Sequence, residues 1–305
     1  ITIHTSMFRA FRHKSLFFGM VAAMLLTACE KEIDVVPSDL EPVLVVEGTI
    51  ENDQFPRVIL TRSVGFFDTL SLDALANSFV RNATVTISDG SRTVPLKEYG
   101  VQFGPSKFFF YTIDTANPAI QMRGELGKKY MLSITASGKN YSAVTQLPTI
   151  ARRIDSLWWR PAPGSADTNR VVVFSRITDP PGFGNFTRYF TSVNDSSFLP
   201  GLNSVSDDQF FDGTTFDVQI PRGVNRNVPI NNETFGFFNR GEKVKVKLSN
   251  IDKATFDFWR TWEQNQSNTG NPFGVPIRVL SNISNGAAVY FGGYGSQVME
   301  ITIPK

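Results

Sequence analysis

The sequence is poor in the side chains on which most enzyme chemistry rests. It contains one cysteine, Cys29, and two histidines, His4 and His13, all within the first thirty residues. A single cysteine excludes an internal disulfide. A chain cut before Cys29 has no histidine, which excludes Ser-His-Asp and Cys-His catalysis and zinc sites built on His or Cys. No glycine-rich phosphate loop of the G-x-x-x-x-G-K-[ST] type occurs. A charge excess of either sign is also missing, with 30 basic and 28 acidic residues in 305. Arg9, Arg12 and Lys14 lie upstream of Cys29 without an acid, so 27 bases face 28 acids beyond it. That balance gives no electrostatic reason to invoke nucleic acid.

Long apolar runs are lacking as well. The run Leu16–Leu26 has eleven residues, about 16 Å as a helix, roughly half of a ~30 Å hydrocarbon core. It is too short to span a membrane and suits the apolar part of a signal peptide, with Arg9, Arg12 and Lys14 as its basic part. Leu26, Thr27 and Ala28 then lead into Cys29 with an aliphatic residue and two small ones, the pattern a lipoprotein signal peptidase cuts. Residues 1–28 read as a lipoprotein signal peptide and Cys29 as the site of lipid attachment. An ordinary signal peptide with a coincidental cysteine is the alternative. Several acyl chains, at ~0.8 kcal/mol per buried CH₂, would hold such a protein on a membrane where one chain binds reversibly. Met7 offers a second possible start. Residues 29–40 form a tether, and its acidic stretch after Cys29 reads either as a signal for export to the cell surface or as a solvated linker.

What is present in quantity is short, alternating apolar sequence. Hydrophobic residues make up 41% of the chain, with 23 glycines and 17 prolines spread along it, the composition of a globular protein with many turns. Val43–Ile50, Arg57–Arg62, Thr84–Ser88, Phe108–Ile113, Tyr130–Thr135 and Tyr141–Thr145 read as strands. Asp89-Gly90 and Ser137-Gly138 read as hairpin turns. The fold expected is mostly β. An N-terminal immunoglobulin-like β-sandwich over 41–150 is followed by a second β-rich domain with one amphipathic helix over 151–305. In the second part Val171–Phe174, Thr187–Val193, Phe216–Ile220, Val244–Leu248 and Met299–Ile303 read as strands. The helix is capped by Asp252 and runs to about Gln266, with Thr255, Phe258, Trp259 and Trp262 on one face. Core packing and a ligand platform are the two readings of that aromatic stripe.

Several segments together resemble the DUF4249 family of Bacteroidetes lipoproteins. They are Cys29-Glu30-Lys31-Glu32-Ile33, Leu44-Val45-Val46-Glu47-Gly48, Ile59-Leu60-Thr61-Arg62, Gly127 to Tyr130, Tyr141 to Pro148 and Ile154 to Trp158. Later come Asp179-Pro180-Pro181-Gly182, Asp208 to Gly213, Asn271-Pro272-Phe273-Gly274, Ser281-Asn282-Ile283 and Gly292-Gly293-Tyr294. The resemblance covers nearly the whole chain beyond Cys29. It implies a lipid-anchored outer-membrane protein that assists a TonB-dependent β-barrel transporter, and it implies no established chemistry.

The remaining candidates are polar. Asp207, Asp208, Asp212 and Asp217 cluster in sequence, with Asp195 before them, but their spacing departs from the regular D-x-[DN]-x-[DN]-G calcium loop. No metal or other cofactor is therefore expected. A paired-carboxylate glycan hydrolase stays open, because carboxylate separation is a tertiary property. Asn271, Pro272, Phe273 and Gly274, with Gly292, Gly293 and Tyr294, are expected to form contact loops, plain turns being the alternative. Asp68-Thr69-Leu70, Asp114-Thr115-Ala116 and Asp155-Ser156-Leu157 resemble a short O-glycosylation sequon. The expectation for function is a non-enzymatic, surface-facing accessory lipoprotein, with a structural or adhesive module as the alternative.

Overall fold

The structure, a computed structural model, describes residues 41–64, 71–231, 234–268, 274–275 and 277–305. The leader, Leu26, Thr27, Ala28, Cys29 and the tether lie outside these residues, as do Asp68, Thr69 and Leu70. Residues 41–305 form one compact unit, and it is mostly β.

Among the described residues, the first half holds the strands β1 (Leu44–Glu51), β2 (Arg57–Arg62), β3 (Thr84–Ser88), β4 (Thr93–Phe103), β5 (Ser106–Thr112), β6 (Lys129–Ala136) and β7 (Lys139–Gln146). The hairpins fall where the turn residues predict. Ser137 and Gly138, with φ of 50° and 74°, join β6 to β7 in the doubly left-handed geometry that matches strand twist. Alternation does the rest: in β1, Val46 and Ile50 turn inward while Glu47 stays exposed. Val46, Ile50, Val58 and Leu60 meet Val85, Ile87, Leu132 and Ile134 in one apolar cluster. Each such side chain contributes roughly 1.5–3 kcal/mol on burial.

The second half adds β8 (Arg153–Pro161), β9 (Arg170–Thr178), β10 (Phe186–Val193), β11 (Leu199–Ser206), β12 (Thr215–Ile220), β13 (Phe238–Asn239), β14 (Lys243–Ile251) and β15 (Ala288–Thr302). One sheet runs β11-β10-β14-β15-β1-β2-β5-β4-β3-β6-β7, and a smaller one places β8, β12 and β13 around β9. The small sheet packs on β14 and the end of the chain through Ile154, Val171, Val173, Phe238, Val246 and Ile303. The sheets are sandwich-like in both halves.

β15 is the shared spine. Its first half pairs in parallel with β1, and its second half pairs antiparallel with β14. On one face Phe291 enters the N-terminal core and Ile301 the C-terminal one, while on the other Tyr290 and Tyr294 join a third cluster. That third cluster is covered by the helix Lys253–Asn268. Asp252 accepts a hydrogen bond from the Thr255 amide (2.8 Å) as the helix cap. Its other oxygen accepts from the Thr145 hydroxyl (2.8 Å) and the Gln146 amide (2.9 Å), so the cap also ties the helix to β7.

Candidate functional site

A cleft of 740 Å³ opens between the helix, the start of β15, β1 and the segment before β15. Phe258, Trp259 and Trp262 come from the helix, Tyr290 from β15, Glu47 from β1 and Arg278 from the preceding segment. Helical spacing delivers the first three to one side, and the strand register sets Glu47 beside Tyr290. Such a cleft is mostly apolar with a few polar groups at its edge, the usual make-up of a small-molecule site.

The aromatic wall is held rigid from behind. Phe258 stacks on Tyr290 with ring centroids 4.4 Å apart, and Trp259 meets Tyr290 edge-on at 5.2 Å. The Trp259 indole N–H donates to the Tyr294 hydroxyl (2.9 Å), which lies 3.0 Å from the Tyr290 hydroxyl. Burial pushes the Tyr290 hydroxyl well above its ordinary pKa, so it stays a neutral hydrogen-bonding group. Behind the indoles stand two cations, Arg188 over Trp259 (3.3 Å) and Arg226 over Trp262 (4.9 Å). Arg188 donates to the Ser204 hydroxyl, and buried Glu263 accepts from the Ser204 amide (2.9 Å) and hydroxyl. The core-packing reading holds for Phe258, which is 3% exposed, while Trp259 and Trp262 are half-buried along the cleft.

Gly292, Gly293 and Tyr294 do not form a loop. They lie inside β15 and are buried, Tyr294 with 5% of its surface exposed. Gly292 faces the helix, where a Cβ would come within 2.9 Å of Thr255, and Gly293 faces the chain after β7, where a Cβ would lie 2.6 Å from the Gln146 carbonyl oxygen. Close packing on both faces of one strand explains glycines that in sequence look like a turn. Gly274 is half-buried and outside any helix or strand, beside the exposed Val275; Asn271, Pro272 and Phe273 fall outside the described residues.

The carboxylates separate into two sets. Asp195 bridges Lys243 and Lys245, Asp217 pairs with Arg176 at 2.8 Å, and those hydrogen bonds hold both carboxyls below the usual range. Asp208 and Asp212 instead converge with Asp179, a residue sequence spacing does not connect to them. Among the described residues, those three are the group of carboxylates close enough to hold a metal ion. Thr115 and Ser156, the acceptors in two of the sequon-like triplets, are exposed.

Taken together, the features define a β-rich protein in which β15 contributes to two apolar cores and, among the described residues, one long helix walls an aromatic cleft. No curated protein matches the chain in sequence. The model of the family described as "Domain of unknown function (DUF4249)" matches residues 30–298, and the chain belongs to that family.

Proposed function

We propose that this protein is a non-enzymatic lipoprotein, anchored by lipid on Cys29 to the outer membrane and facing the cell exterior. There it assists a TonB-dependent β-barrel in ligand uptake or in assembly of the complex. The carrying observation is the cleft with Trp259, Trp262 and Tyr290 on its walls and Glu47 and Arg278 at its edge. The half-buried indoles of Trp259 and Trp262 and the single charges suit holding an amphipathic small molecule with a flat apolar face. The order of basic stretch, apolar run and Leu26-Thr27-Ala28-Cys29 supports the anchor. No helix among the described residues is long and apolar enough to cross a membrane.

An adhesive surface module is the second reading, favoured by Val101 and Phe103 at the tip of the β4–β5 hairpin, which are 54% and 64% exposed. Glycan hydrolysis fits less well, because Asp208 is 2% exposed and Asp195 and Asp217 are held in ion pairs with Lys243, Lys245 and Arg176. Mass spectrometry of the chain from membranes and protease shaving of whole cells test the placement. Diacylglycerol on Cys29 and loss of the protein on shaving are expected. An unmodified Cys29, or full protection of the chain, contradicts it.

A further inference from the structure

We infer that Asp179, Asp208 and Asp212 form a binding site for a hard divalent cation of calcium's size. One carboxylate oxygen from each lies within 4.8 Å of the others. Two oxygens bound to the same calcium at 2.3–2.6 Å are separated by at most about 5 Å, so a single ion can reach all three. The donors are oxygens alone, without imidazole or thiolate, which selects a hard cation over zinc.

The decisive atom is Asp179 Oδ2. The Asp179 side chain is wholly buried, and Arg152 Nε donates to its Oδ1 at 2.6 Å. Its Oδ2 is inaccessible and has no hydrogen-bond partner. A carboxylate oxygen withdrawn from water without a donor is costly, and a cation removes that cost. With Oδ1 committed to Arg152, Oδ2 is what Asp179 has left to give. Arg152 is itself fully engaged, donating also to Thr187, Ser206 and the Asp207 carbonyl. Three carboxylates against one guanidinium leave a formal charge of about −2, which one divalent ion neutralises.

The two loops are built around this point. Gly182 and Gly184, with φ of 112° and 113°, turn the chain so that backbone amides face the acids. The amides of Gly184 and Asn185 donate to Asp208 Oδ2 at 2.8 and 2.7 Å, and the Gly182 amide donates to Asp212 Oδ1. The sequence motifs at 179–182 and 208–213 thus form one structure, held by residues that neither strand pairing nor the cleft requires.

The test is calorimetric titration of CaCl₂ into the full mature chain, purified in detergent and stripped with EDTA, alongside thermal melts. One calcium per chain with a rise in Tm is expected, and magnesium should bind more weakly because it prefers shorter, stricter octahedral geometry. D212N, which alters the most exposed of the three and so should leave the fold intact, should weaken calcium at least about tenfold. D217N, in the separate pair with Arg176, should bind as the wild type does. Absence of both heat and Tm shift in the wild type overturns the site, as does equal binding by D212N.

Discussion

The guanidinium carbon of Arg188 sits 3.3 Å from the centre of the Trp259 ring, joining β10 to the helix that walls the cleft. Arg188 is 5% exposed and also donates to Ser204 Oγ at 3.0 Å. A desolvated cation–π contact and a hydrogen bond disappear together in R188M. The expected loss is about 2–3 kcal/mol. Urea unfolding should show a lower midpoint with an unchanged slope; an unchanged midpoint removes the contact's claimed role.

Glu263 is the carboxylate on the other side of that network. E263A leaves the Ser204 amide without its acceptor and Arg226, 3.5 Å from Glu263, without its counter-charge. The expected cost is about 3 kcal/mol, with E263Q retaining part of it through its remaining carbonyl oxygen. Amide hydrogen exchange at Ser204 should speed up in E263A more than in E263Q.

G293A separates packing from recognition. The added methyl would meet the Gln146 carbonyl oxygen and the Leu147 Cα, both backbone atoms. A loss of about 1–3 kcal/mol is expected from overpacking, read as a drop in Tm. A variant of wild-type stability would contradict the buried placement of this segment.

The pH dependence should carry a mark of the Tyr111–Glu98 pair, in which the Tyr111 hydroxyl donates to Glu98 Oε2 at 2.9 Å. Burial foremost, with Glu98 adding to it, pushes Tyr111 up to about 12. The folded state therefore keeps a proton that the unfolded chain releases near pH 10. Stability from this group is complete below pH 10 and is lost as pH rises toward 12. For Glu98, burial alone raises the carboxyl, but hydrogen bonds from the Asn82 amide, Arg81 and Tyr111 outweigh it and leave it low. Its contribution is present above the ordinary glutamate range and is lost as pH falls below it. Denaturation midpoints against pH should flatten above pH 10 in Y111F; an unchanged alkaline limb would contradict the assignment.

Much of the fold is legible in the sequence where burial is one-sided. Arg57–Arg62 forms the strand its alternation indicates, and the cap at Asp252 begins the helix where expected. Leu199–Ser206 gives no such signal, because Pro200 and Gly201 interrupt any alternation; pairing with β10 makes it a strand. The same holds for the first half of β15, whose glycines answer to neighbours distant in sequence. The cleft is half legible, since helical spacing puts Trp259 and Trp262 on one face but does not show that Glu47 lines the same cleft. Asp179 and Asp208 lie on separate loops and become neighbours only when strands β9 to β12 assemble.

Affinity purification of the chain from detergent-solubilised membranes tests the proposed partnership. The proposed role requires that a TonB-dependent β-barrel co-purify at a fixed ratio to the chain. Repeated isolation of the lipidated protein without any barrel would contradict it.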